Sequence, residues 1–119
     1  MIQEEKELLM KDLCARLPYG VFCEIYNSTC TIKEKLSFGG ITHFADDTIC
    51  VRPFLRPMSS MTEEEKKEYD HRLECMFYDT MYDDAFAIDW LNAHHFDYRG
   101  LIDKGLAIEV TESNNPYKN

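Results

Sequence analysis

Histidine, cysteine and paired acid side chains in this chain are of types that carry chemistry. His94-His95 has the composition of a metal-ligand pair. Successive helical residues diverge by about 100°, so adjacent imidazoles do not converge on one ion. A His-x₃-His spacing, which would put two rings on one face, is absent. The five cysteines, Cys14, Cys23, Cys30, Cys50 and Cys75, form no CxxC knuckle. Cys14, Cys23 and Cys50 fall on faces expected to be core, where a free thiol behaves as a small apolar group. A cysteine nucleophile activated by His43 or His94 needs a contact that spacing alone does not supply. The acid pairs Asp46-Asp47 and Asp83-Asp84 are of the kind that divides acid and base roles. Both stand in turn sequences, where Asp is favoured for bonding its own backbone. No glycine-rich phosphate loop, GxSxG elbow or HExxH motif occurs. The expectation is therefore no catalytic residue, no metal ligand, no cofactor-binding residue and no cofactor.

Two binding sets remain. Arg52 and Arg56 have no acid within their own Pro-bracketed segment, and Arg99 stands in a helix break. If folding gathers them, Arg52, Arg56 and Arg99 form a small anion contact. The simpler reading of Arg99 is an ion pair with Asp97, Asp103 or Asp89. The second set is Phe77, Tyr78, Asp79, Met81, Tyr82, Asp83, Asp84 and Phe86, in which aromatic and Met side chains alternate with acids. Aromatic anchors rimmed by carboxylates suit a protein partner with a basic surface. The alternative is that these rings pack over the edge of the core.

The elements that must position these residues follow from pattern. Met10, Leu13, Cys14 and Leu17 recur at i, i+3, i+4, i+7, predicting a helix over 3–17. Glu4, Glu5 and Glu7 lie at its positive end and Arg16 at its negative end, and Pro18 stops it. Val21, Cys23 and Ile25 alternate as the aliphatic face of a strand. Asn27-Ser28-Thr29 turns the chain, and Cys30 and Ile32 begin a hairpin partner. Phe38-Gly39-Gly40-Ile41 reads as a bend or bulge, and Asp46-Asp47 as a turn into a strand over 48–52. Pro53 and Pro57 are expected to take the chain out of the sheet. Thr62-Glu63-Glu64-Glu65 is a capping box opening a helix to about Phe77, with Tyr69, Leu73, Met76 and Phe77 inward. Asp84 caps a third helix over about 85–95, with Ala87, Trp90, Leu91 and His94 as its apolar stripe. Asp97 caps a short turn of helix holding Leu101 and Ile102, and Gly105 ends it. Leu106, Ile108 and Val110 form a last strand. The expected fold is a single α+β domain over 1–119: an N-terminal helix, a three- to four-stranded antiparallel sheet, two further helices and a short C-terminal helix and strand. Residues 1–2 and 111–119 are expected to fray. The expected core includes Leu13, Leu17, Val21, Ile25, Leu73, Trp90 and Ile108.

Composition narrows the function classes. The chain has 119 residues, 45% of them apolar, enough for one buried core. Its 13 basic and 22 acidic residues give a net charge of −9. Such a charge repels phosphate backbones, so non-specific nucleic-acid binding is not expected. A predicted third helix with no Lys or Arg argues equally against a sequence-specific reader. No apolar run reaches membrane-spanning length, so no membrane is expected as partner. An odd cysteine count and a charged N-terminus without a signal sequence point to reduced thiols in the cytoplasm.

Three blocks carry a resemblance: 11–21 (KDLCARLPYGV), 52–62 (RPFLRPMSSMT) and 89–107, from Asp89-Trp90 to Leu106-Ala107. They resemble stretches of a group of short, uncharacterised proteins of gut bacteria and their phages. The resemblance implies a phage or mobile-element setting and carries no activity. With it, the expected function is a small, acidic, non-enzymatic interaction or accessory module. In one concrete version it inhibits a host defence complex by occupying a basic, nucleic-acid-holding surface. The alternatives are a small enzyme using carboxylates or a Cys/His pair, and a nucleic-acid-binding regulator.

Overall fold

The first helix, α1 (Gln3–Arg16), lies across a sheet and buries Leu9 and Leu13 against it. A computed structural model describes residues 2–78 and 85–118 of the chain. A 3-10 turn, Leu17–Tyr19, and Gly20 at φ 70° redirect the chain after α1. Then come β1 (Phe22–Tyr26), β2 (Thr31–Lys35), α2 (Phe38–Ala45), β3 (Cys50–Pro57), α3 (Glu63–Tyr78), α4 (Ala85–Ala93), β4 (Phe96–Asp97) and β5 (Ile108–Glu109). The fold is α+β, with an N-terminal helix as expected. The sheet runs β2-β1-β3-β4, with β5 also on β3. Its β1–β2 and β1–β3 pairs are antiparallel, whereas β4 and β5 run parallel to β3.

Several expectations are corrected, each for a local reason. The inward stripe of α1 is Leu9, Asp12, Leu13 and Arg16, one residue back from the apolar spacing, and Cys14 is exposed. A stripe read from apolar residues misses a core face that contains an ion pair. Phe38–Ala45 is a helix and no bulge, because Ser37 caps it: its Oγ accepts from Gly40 N at 3.1 Å. Pro53 does not end its strand. It is fully buried, pairs with Cys23, and marks where β3 passes from β1 to the parallel partners β5 and β4. Strand β2 is exposed along its length, Ile32 included, since it is the sheet's outer strand. Cys50 is exposed at the start of β3. Leu73 and Phe77 point outward, and α3 buries no residue completely.

Residues 111–118, expected to fray, fold back on the sheet. Tyr117 Oη donates to Phe54 O at 2.7 Å and accepts from Phe22 N at 3.0 Å. Its ring stacks on His95 at 3.8 Å and 10°. His95, two residues beyond α4, sits in the left-handed region, φ 64°, a position usually left to Gly or Asn. Its peptide N–H donates to Asn92 O at 3.1 Å, and β4 starts at the next residue.

The core has two centres. The larger joins α1 to the sheet through Leu9, Leu13, Val21, Cys23, Val51 and Leu55, with Leu101 closing it. The smaller holds Trp90, Leu91 and Phe96, flanked by Met58, Met61, Tyr69 and Tyr98. Trp90, Leu13, Val21 and Ile25 are buried as expected, and Leu17 and Ile108 partly so. The Asp97 cap forms with both oxygens, accepting from Leu101 N and Ile102 N at 2.9 Å each. The chain there makes successive turns up to Gly105, φ 74°, without a helix.

Candidate functional site

The expected anion contact is occupied by carboxylates of the chain itself. Arg52 pairs with Glu24 across β1 and β3 at 2.5 Å. Arg56 forms a two-pronged pair with Glu65, at 2.7 and 2.8 Å, and lies over the Phe96 ring at 4.1 Å. Glu65 is also the capping-box acid, accepting from Thr62 N at 3.0 Å while Thr62 Oγ1 accepts from Glu65 N at 3.1 Å. The Arg56 hydrogen bond holds the Glu65 carboxyl down at about 2. Arg99 pairs with Asp12 at 3.0 Å, and not with Asp89, Asp97 or Asp103.

Asp12 lies at the centre of a buried polar knot that spacing did not reveal. Arg16 Nε donates to Asp12 Oδ2 at 2.8 Å, and both side chains are completely buried. Arg16 Nη2 donates to Phe96 O at 2.7 Å, and its guanidinium faces the Tyr98 ring at 5.2 Å. Arg99 Nη1 donates to Tyr98 Oη, which donates to Asn92 Oδ1 at 2.8 Å. The knot ties α1 to the end of α4 and to β4. A sequence signal existed in the i, i+4 spacing of Asp12 and Arg16. That spacing is common on solvated helix faces, so it does not announce burial.

The remaining chemical candidates are structural in their contacts. Asp46 caps its own turn, bonding Thr48 N and Thr48 Oγ1, and the Thr48 hydroxyl lowers its carboxyl. Asp47 takes φ 65° and pairs with Lys6. His94 Nδ1 lies 2.9 Å from Trp90 O, and its ring stacks on the indole at 4.2 Å. Burial pushes the Cys23 thiol up to about 12, which suppresses the thiolate a nucleophile needs. Asp83 and Asp84 lie outside the described residues.

A cleft of about 390 Å³ is lined by Tyr19, Phe22, Lys35, His95 and Tyr117, among others. Burial, helped by the Arg16 charge, lowers His95 to about 4, and burial raises Tyr117. The Tyr117 hydroxyl is committed to two backbone groups, so it is not free to act as the acid or base partner of His95.

The expected aromatic surface is described in part. Asp79, Met81, Tyr82, Asp83 and Asp84 lie outside the described residues. Phe77 and Tyr78 close α3, 81% and 82% exposed, edge to face at 4.9 Å. Leu73 and Glu74 complete a shallow notch with them, of about 350 Å³. Phe86 takes a different place. It is half-buried under Arg72, whose guanidinium covers its ring at 4.4 Å and donates to Phe86 O at 3.0 Å. Ile88 is exposed on α4. Helix α3 carries six acids against three Lys or Arg. No family model, no curated protein and no solved structure matches this chain. No described helix is long and apolar enough to cross a membrane.

Proposed function

We propose that this protein is a non-enzymatic interaction module whose docking surface is the far end of α3. The observation that carries the reading is the outward placement of Phe77 and Tyr78 as an adjoining pair of rings beside exposed Leu73, whereas Phe38, the other strongly exposed ring among the described residues, stands apart on α2. Burying two such rings contributes the kind of anchor on which protein interfaces depend. The acids of α3 and the net charge of −9 favour a partner with a basic surface. The Arg52, Arg56 and Arg99 side chains, each matched to an internal carboxylate, support reading these three as part of the scaffold and not as an anion site. In the most concrete form, the partner is a cytoplasmic host defence complex and the protein occupies its nucleic-acid-holding groove. This form rests on acidity and on the phage-like resemblance.

The test is paired capture from host lysate, using the wild-type chain and a Phe77→Ser, Tyr78→Ser variant, at low and high salt. The expected result is a stoichiometric protein retained by the wild type at low salt, lost at high salt and lost from the variant. Retention by both chains at both salt levels overturns the reading.

A further inference from the structure

Helix α3 carries a thiol–imidazole pair that the docking surface does not use. His71 and Cys75 are four residues apart and share a helical face. Cys75 Sγ lies 3.7 Å from His71 Nε2. His71 is exposed and Cys75 half-buried, so an ion reaches both donor atoms from solvent. With no ion bound, the pair makes a weak hydrogen bond at a separation ordinary for sulfur. The same separation is close to that of two ligands on one metal ion. Zinc bonds of about 2.3 Å to sulfur and 2.0–2.1 Å to nitrogen, at a tetrahedral angle, set the two ligand atoms about 3.5 Å apart. A thiolate and a neutral imidazole are a donor set that selects zinc-class ions over magnesium or calcium. Among the described residues, no third His, Cys, Asp or Glu joins the pair to make a complete metal cluster. The described residues of one chain thus supply two of the four ligands that a closed tetrahedral site requires.

We propose that His71 and Cys75 form a half-site for a thiophilic divalent cation, completed by the same pair from a second copy across a two-fold axis. Two-fold symmetry supplies two sulfurs and two nitrogens from one self-complementary patch. Each Cys75 loses its thiol proton to solvent on binding, and each His71 binds through Nε2 with the proton on Nδ1. Helix α3 buries no residue completely, which leaves it room to meet a second copy. The inference is independent of the docking reading.

The test is titration of the full, reduced chain with cobalt(II), followed by absorption and sedimentation. The expected result is a thiolate-to-cobalt charge-transfer band with tetrahedral visible bands, saturating at one ion per two chains. A dimer forms in step, zinc bleaches the bands, and a chelator returns the chain to monomer. Cys75→Ser and His71→Ala each abolish the band and the dimer with the circular dichroism spectrum unchanged. A Cys14→Ser, Cys30→Ser, Cys50→Ser variant retains both. Absence of the band from folded wild-type protein overturns the proposal. So does a band that survives Cys75→Ser, a one-to-one monomeric complex, or a dimer indifferent to chelator.

Discussion

The Asp12–Arg16 knot and the far end of α3 depart from the ordinary distribution of side chains in opposite directions. At the knot, a carboxylate and a guanidinium are wholly buried, and a second guanidinium and an amide are mostly so. At the end of α3, two large rings face solvent. Burial of charge is costly unless geometry and hydrogen bonds compensate it, and exposed rings forgo the gain of burial. The first region spends its polar groups on joining α1, α4 and β4. The second joins no other element among the described residues, which is what motivates the proposed partner. Polarity alone therefore does not tell frame from contact surface in this molecule; the number of satisfied internal bonds does.

The contrast predicts graded effects. Asp12→Ala removes the acid that both Arg16 and Arg99 engage, and leaves a guanidinium buried without its counter-ion. The expected loss is about 3–5 kcal/mol in denaturant unfolding. A joint Asp12→Leu, Arg16→Met exchange should recover most of it, since a packed apolar pair needs no compensation. An Asp12→Ala protein of wild-type stability would break the comparison outright.

Glu65→Gln weakens the Arg56 clamp and the helix cap together, at an expected cost of about 2 kcal/mol at neutral pH. The folded Glu65 carboxyl titrates at about 2, below its ordinary 4.5. Its contribution is complete above the ordinary value and is lost as pH falls from 4.5 toward 2. The cost of Glu65→Gln should therefore shrink across that window in unfolding measured against pH.

His95 acts at higher pH. Its folded value of about 4 lies below the ordinary 6.5, so the unfolded chain binds a proton the folded one resists. Stability is then complete above 6.5 and declines as pH falls toward 4. The expected decline is about 1–2 kcal/mol, allowing for the ring's remaining contact with water. His95→Asn keeps a residue that tolerates positive φ and should flatten the slope in that window. An unchanged slope assigns it to another group.

The smallest effect is expected at the other pole. Phe77→Ser and Tyr78→Ser should each change stability by no more than about 0.5 kcal/mol, since neither ring is buried. A loss above about 2 kcal/mol would mean that these rings pack within the fold, and the comparison would collapse.

How much of this was legible is best judged from particular residues. The capping box was readable because Thr62 and Glu65 act over one turn, and local bonds leave local patterns. The alternation of Val21, Cys23 and Ile25 was readable because one sheet face is buried. The Arg56–Glu65 clamp spans nine residues, and Arg99–Asp12 spans 87, so neither has a sequence period. Leu73 and Phe77 lie outward against expectation because apolar spacing marks a stripe without saying whether anything covers it. His71 and Cys75 have a visible i, i+4 spacing, but a mixed His/Cys pair lacks the two-histidine signature of a helical metal site.

Strand β3 has a consequence in time as well as in space. Its first half, up to Pro53, pairs with β1 through a loop of moderate length; its second half waits for residues 96–109. Loop closure over the longer distance is slower and entropically dearer. Loop-closure cost alone thus favours the β1 pairing forming first, and until residues 96–109 arrive Phe54 to Pro57 would present an unpaired edge of the sheet to whatever is nearby.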